Sequence, residues 1–157
     1  MYWGENLVQL TWLPMNSLPS TKDVTSAHGF CFYQDKVMLV HLIHRGWDLP
    51  GGHINKGESP EDAFRRECME EGYVTGECTL LGCVEVNHVH NVNWNETSPY
   101  PQIGYQAFYR MDVTGIHPFH AEFEATERLF VEPAAYAEWH HGWHRVYEAI
   151  LTQAVQT

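Results

Sequence analysis

The segment Leu49–Tyr73, LPGGHINKGESPEDAFRRECMEEGY, constrains this chain more than any other. Two glycines follow a proline, and a short helix then carries Glu67, Glu70 and Glu71 on adjacent turns. Ser59 is a natural N-cap, and Pro60 suits the first helical position, where its missing N–H costs nothing. Glu61 and Asp62 complement the positive end of the helix dipole. Phe64 and Cys68, four apart, offer a narrow apolar contact to a core. The three glutamates stand at i, i+3 and i+4, so their side chains converge on a neighbouring face.

That convergence is unfavourable without a partner. Two carboxylates about 5–6 Å apart repel by roughly 3 kcal/mol at an effective dielectric of about 20. On an open helix surface, water reduces this to about 0.2–0.5 kcal/mol. A solvated acidic face is therefore energetically tolerable. Lining a cleft, the same cluster calls for cations, and oxygen ligands suit hard ions such as Mg²⁺. Gly51 and Gly52 let bare backbone approach a ligand or present a carbonyl to a metal.

Spacing separates the two readings. From Gly52 the chain runs G-x5-E-x7-R-E-C-x-E-E, with Gly52, Glu58, Arg66, Glu67, Glu70 and Glu71 at the fixed points. This resembles the signature of the Nudix hydrolases, G-x5-E-x7-R-E-U-x-E-E-x-G-U, where U is a bulky apolar residue. Six such matches arise by chance in roughly 10⁻⁵ of chains this long. The stretch RGWDLPGG precedes the motif as a strand does in that family. One position departs. Gly72 follows the paired glutamates at once, and Tyr73 holds the place of the family glycine, while Val74 fits the final apolar position. With Gly72 as the left-handed residue ending the helix, the helix stops early and Glu71 turns differently.

The resemblance implies an α/β fold, the Nudix-like α/β/α sandwich with a mixed central sheet. It also implies hydrolysis of a nucleoside diphosphate linked to another group X, giving a nucleoside monophosphate and phosphorylated X, with Mg²⁺ or Mn²⁺ as cofactor. Carried over position by position, Glu67, Glu70, Glu71 and the Gly52 carbonyl are metal ligands. Glu67 is also a candidate general base, Arg66 orients the glutamates, and Glu58 steadies the loop. Some members use a further acid late in the chain, for which Glu127 and Glu124 are the candidates here. Trp47 and Gly51 beside the loop, and Trp94 and Tyr100 in a later loop, are candidate substrate contacts. The alternative is a nucleotide-binding regulator that keeps the fold without turnover; such modules usually lose motif carboxylates, and this chain keeps them. The diphosphate isomerases that share the fold rely on a cysteine motif not found here.

The remaining sequence sets bounds. At 157 residues the chain is long enough for one domain, residues 1–157, with a real core. A net charge of −11 argues against a long nucleic-acid partner, which needs Lys and Arg clusters. It leaves room for a small phosphorylated ligand bridged by a divalent cation. Cys31, Cys68, Cys78 and Cys83 show no metal-ligand spacing and read as reduced thiols, most of them packed. The N-terminus has no signal-peptide pattern, and no apolar stretch is long enough for a bilayer. A cytoplasmic protein without membrane partners is expected, with its oligomeric state open and a homodimer among the options.

NLVQLTWL reads as a first strand, followed by the connection PMNSLPSTKD. AHGFCFYQDKVMLVHLI reads as two strands about Gln34-Asp35-Lys36. Gly72 and Gly76 punctuate the helix end, and ECTLLGCVEVNHVH is extended. Residues 91–102 form a loop, IGYQAFYRMDV and ERLFV are strands, and the pattern after Pro133 is helical. Strands interleaved with a few helices indicate helices packed on sheet faces. Among eleven histidines, the pairs His88/His90 and His140/His144 read as surface or loop residues rather than metal ligands.

Overall fold

The computed structural model describes residues 1–19 and 21–157; Ser20, within the expected connection, lies outside the described residues. A small hairpin of β1 (Tyr2–Trp3) and β2 (Asn6–Leu7) precedes β3 (Gln9–Pro14), so the expected first strand is interrupted at Val8. Val8 is buried and donates its N–H to the Met1 carbonyl at 2.8 Å, which turns the chain between the two sheets.

Next come β4 (Val24–Tyr33) and β5 (Lys36–Leu42), joined at Gln34 and Asp35 with φ of 50° and 64°. Two left-handed residues make the tight turn whose twist matches a hairpin. β6 (Gly46–Asp48) and β7 (Gly51–His53) follow, then helix α1 (Pro60–Glu67), β8 (Val74–Asn87), β9 (Ile103–Ile116) and β10 (Ala125–Val131). The chain closes with α2 (Tyr136–Trp139) and α3 (Arg145–Gln156). Along the main sheet the order is β10-β5-β4-β9-β8-β3, with β6 on β5 and β7 on β4. The β4–β9 pair is parallel and the others are antiparallel, so the sheet is mixed as expected.

Alternation along β4 and β5 divides the core in two. Phe30, Phe32, Val37 and Leu39 face one side and pack with Tyr136, Ile150, Leu151 and Ala154 from α2 and α3. Cys31, Met38 and Val40 face the other side and pack with Ala63, Phe64 and Cys68. Helices thus cover both faces of the sheet. The four thiols are free; Cys31, Cys68 and Cys83 are buried and Cys78 is half-buried. Among the described residues no helix is long and apolar enough to cross a membrane.

The fork that creates the site lies between β4 and β5. They pair only at Phe32–Tyr33, beyond which β7 takes the β4 edge at Ser26–His28 and β6 takes the β5 edge. Between these strands the α1 segment is laid down. Ser59 caps it as expected, its Oγ accepting the Asp62 N–H at 3.1 Å, a contact of about 1 kcal/mol.

The helix end differs from expectation. After Glu67 the chain widens into one π-helical turn, Cys68–Gly72, and the left-handed residue is Tyr73, with φ 55° and ψ 42°, not Gly72. For a non-glycine residue this conformation costs roughly 1–2 kcal/mol. Gly72 has another reason to be glycine: a Cβ there would stand 2.4 Å from the end of the Met38 side chain. Gly76 is not at the helix end either, but at a register shift within β8.

Candidate active site

The glycine loop and the acidic helix meet by close approach. Gly51 donates its N–H to Glu71 Oε1 at 2.9 Å, and a Cβ at Gly51 would collide with the His28 ring at 2.3 Å. A Cβ at Gly52 would lie 2.6 Å from Glu67 Oε1. The missing side chains therefore admit two carboxylates to the loop backbone. Glu71 is buried and held against the loop by the Gly51 hydrogen bond.

Arg66 ties the segment together. Its Nε and Nη2 pair with the Glu58 carboxylate at 2.7 and 3.0 Å, and Nη2 also donates to the His53 carbonyl at 3.0 Å. Nη1 donates to Glu67 Oε1 at 2.9 Å and reaches Glu70 Oε2 at 3.4 Å. Glu58 also accepts the Asn55 N–H at 2.8 Å, closing the loop. The paired guanidinium and this backbone bond hold the Glu58 carboxyl below the usual carboxylate range.

The acidic face opens into a cleft of about 880 Å³ lined by Glu67, Glu70, Glu71, Gly51, Gly52 and Glu124. Burial raises the Glu67 carboxyl above its ordinary value, against the pull of Arg66. Burial raises Glu71 further, to about 8, with the nearby Glu67 charge adding to it and the Gly51 hydrogen bond opposing it. The Arg66 guanidinium, already matched by Glu58, meets two further carboxylates, Glu67 and Glu70, while Glu71 lies on the Gly51 N–H. Among the described residues no three His, Cys, Asp or Glu side chains stand close enough together to hold a metal ion between them. The donors nonetheless fit a hard divalent cation: they are all oxygen, they carry surplus negative charge, and they are partly desolvated beside a bare Gly52 backbone.

The other candidates divide. Of the two late acids, Glu124 lines the cleft, whereas Glu127 is exposed on β10 opposite His41 and outside the lining. Trp47 packs edge-on against Trp139 and His41 at centroid distances of 5.7 and 5.1 Å, away from the cleft. Trp94 donates its indole N–H to the Tyr100 carbonyl at 3.1 Å, and Tyr100 stacks on His88 at 5.1 Å. These two residues stabilise their own loop and do not reach the cleft lining.

Sequence reading passed over Ser26, His28 and Gln106, which form part of the cleft wall. They occupy β4 and β9, where Ser26 and Gln106 are register partners. Polar residues within otherwise buried strands were the available signal. His28 hydrogen-bonds Ser26 Oγ at 2.9 Å and stacks on Phe108 at 5.4 Å. Burial lowers its pKa to about 4, with Asp48 opposing and Arg45 and His53 reinforcing the shift.

Of the histidine pairs, His88 and His140 lie outside strands and helices as expected of loop residues, yet both are buried. His88 is buried and bonds the Asn91 amide at 3.0 Å, while His90 is exposed, because β8 ends at Asn87 and the two-residue alternation ends with it. His140 is likewise buried, its Nε2 2.7 Å from Asp48 Oδ1. Burial alone would raise the Asp48 carboxyl, but this hydrogen bond and the His140 charge hold it below its ordinary value.

A family model described as the NUDIX domain matches residues 22–150. The chain belongs to the Nudix hydrolase family. Two curated relatives agree. YjhB of Bacillus subtilis (strain 168), provisionally named an ADP-ribose pyrophosphatase, is 30% identical over 126 residues, covering 75% of this chain and 57% of the relative. The 8-oxo-dGTP diphosphatase of Proteus vulgaris is 34% identical over 62 residues, covering 39% of this chain and 54% of the relative. This Nudix chain thus spans little more than half the length of the curated relatives it matches. In fold it is similar to the crystal structure of the Bacillus subtilis pyrophosphohydrolase BsRppH, with a TM-score of 0.62 at 20% identity, over 81% of this chain and 72% of that one. The α/β/α sandwich is shared.

Proposed function

We propose that this chain is a divalent-metal-dependent pyrophosphohydrolase that cleaves the diphosphate of a nucleoside diphosphate linked to another group X. The observation that carries this reading is the convergence of Glu67, Glu70 and Glu71 on one cleft against the Gly51–Gly52 backbone. Mg²⁺ or Mn²⁺ held by these carboxylates and the Gly52 carbonyl would supply positive charge against the diphosphate oxygens and lower the pKa of a bound water.

The chain's own residues do the rest. Arg66 fixes the directions of Glu67 and Glu70 through its shared Nη1, so that they need no reorganisation as substrate enters. Glu67, partly desolvated, is the general base: it takes a proton from the attacking water as one P–O bond of the diphosphate breaks. The products are a nucleoside monophosphate and phosphorylated X. Glu124, on the same cleft, is the late acid. Gly51 gives the substrate room beside the helix, and Arg45 adds a positive charge to the cleft lining.

The relatives bear names for ADP-ribose and 8-oxo-dGTP chemistry, which share a nucleoside diphosphate and differ in X. A small nucleotide derivative fits the net charge of −11 better than a nucleic-acid polymer does. Reduced thiols suit a cytoplasmic setting. We read residues 1–157 as one domain. The test is product analysis with Mg²⁺ or Mn²⁺ over dNTPs including 8-oxo-dGTP, ADP-ribose, diadenosine polyphosphates and NADH. Cleavage within one diphosphate, lost in Glu70→Gln, supports the enzyme; tight binding without turnover across the panel moves the reading to a regulator.

A further inference from the structure

Tyr73 occupies the place of the signature glycine, yet it keeps the left-handed conformation at φ 55° that glycine would adopt freely. A bulky residue there persists only where its surroundings hold it, and these surroundings form one strap, residues 117–124. Its start is tied by the His117 N–H to the Tyr73 carbonyl at 2.9 Å. Its middle is tied by the Glu122 N–H to the Tyr73 hydroxyl at 3.0 Å, immediately after Ala121, another left-handed residue at φ 51°. The Tyr73 ring packs edge-on against Phe119 at 4.9 Å and is only 5% exposed. Arg128 donates to the Gly72 carbonyl at 2.8 Å and lies over Phe119 at 5.6 Å, bracing the tether from β10. The far end is pinned where Ile43 donates to the Glu124 carbonyl at 3.1 Å.

The tethered strap delivers Phe123 to the rim of the acidic cleft. Phe123 borders that cleft and also a flanking hollow of about 550 Å³, which it shares with Met69, Glu70, Tyr73, His117 and His120. Phe123 is 52% exposed and has no aromatic partner among the described residues. An exposed ring held beside a desolvated acidic face offers a stacking surface to a planar group whose diphosphate lies over the glutamates.

We propose that Tyr73 is a positioning residue for substrate specificity: through the strap 117–124 it holds Phe123 as the stacking wall for the planar part of the substrate. This rests on the pyrophosphohydrolase reading for its substrate, but the tether itself does not. Binding energy from such a remote contact enters KM more than kcat when it is equal in ground and transition states.

Two variants separate the tether from the fold. Tyr73→Phe keeps the ring and removes only the hydroxyl; amide hydrogen exchange should accelerate at Glu122 by tenfold or more and stay unchanged at His117. Tyr73→Gly relaxes the backbone and removes both side-chain anchors, the hydroxyl on Glu122 and the ring on Phe119, while leaving the carbonyl that accepts the His117 N–H. With ADP-ribose and Mg²⁺, KM should rise about tenfold with kcat within about threefold, and Phe123→Ala should do the same. The double variant Tyr73→Gly/Phe123→Ala should be no worse than the worse single one, because both remove one interaction. Unchanged Glu122 exchange in Tyr73→Phe overturns the tether whether or not the chain turns over substrate. Faster exchange together with an unchanged KM in Tyr73→Gly, or additive effects in the double variant, overturns the role in specificity. Absence of turnover in the wild-type chain instead counts against the proposed function, and the same comparison is then read as the Kd for ADP-ribose.

Discussion

Arg66 and Glu58 form a two-pronged pair across the loop–helix junction, with Nε 2.7 Å from Oε2 and Nη2 3.0 Å from Oε1. The pair leaves Nη1 for Glu67 and Glu70, so one planar fork measures the distance between loop and acidic face. A lysine keeps the charge but cannot reproduce that geometry. With Glu67 and Glu70 as the proposed metal ligands, Arg66→Lys is expected to reduce kcat/KM by about 10- to 100-fold, the usual effect of losing an orienting partner. Steady-state kinetics over a Mn²⁺ titration checks this; an unchanged metal requirement would remove Arg66 from its orienting role.

Glu70 is partly exposed and, among the described residues, bonded only to Arg66, so its charge does little for folding. Glu70→Gln should keep the melting temperature within about 2 °C while lowering kcat by about 100-fold or more. Thermal unfolding and turnover measured on one preparation decide the matter. Full activity in this variant would sink the site assignment.

Two glycines predict opposite consequences of the same substitution. A Cβ at Gly29 would stand 2.1 Å from the Tyr109 carbonyl oxygen and 2.8 Å from the Phe64 ring, between backbone and core. Gly29→Ala should cost at least about 2 kcal/mol of stability, since neither neighbour can yield cheaply. At Gly52 the obstacle is the movable end of Glu67. Gly52→Ala should cost under about 1 kcal/mol yet lower turnover at least about tenfold. Urea denaturation beside kinetics separates the two; equal stability losses would contradict the packing described.

His28 makes stability depend on pH. Its pKa falls from 6.5 to about 4 on folding, so the unfolded chain binds the proton more readily. Stability from this source is complete above pH 6.5 and declines as pH falls toward about 4. Burial is the main cause of the shift, opposed by the Asp48 charge and reinforced by Arg45 and His53. Between pH 7 and pH 4.5 the wild-type chain should lose about 2 kcal/mol more than His28→Gln. Parallel losses in urea titrations at the two pH values would show that His28 does not carry the effect.

Much of the acidic helix was legible in sequence because its determinants are local. Ser59, Pro60 and the glutamates act within a few turns, and the cap follows from helix geometry alone. The helix end was not legible in the same way. Gly72 reads as a left-handed stop by local preference, but its hydrogen-for-side-chain economy is required by Met38, more than thirty residues earlier in the chain. Tyr73 then takes the left-handed turn because Glu122 and Phe119 hold it there. Trp47 stands beside the glycine loop in sequence, yet strand alternation turns it to Trp139 on the other side of the sheet.

The sequence by itself determined the motif, the mixed order of strands and helices, and the acids available for chemistry. These depend on residue type and on spacing along a few turns. The tertiary structure alone decided which of them meet. It brought Glu124 rather than Glu127 to the cleft, placed Ser26, His28 and Gln106 in its wall, and laid the strap of Tyr73 along its rim. Those outcomes depend on sheet register, on the fork between β4 and β5, and on close approach at glycines. All three are set by contacts between segments far apart in the chain, to which local propensity and periodicity are blind.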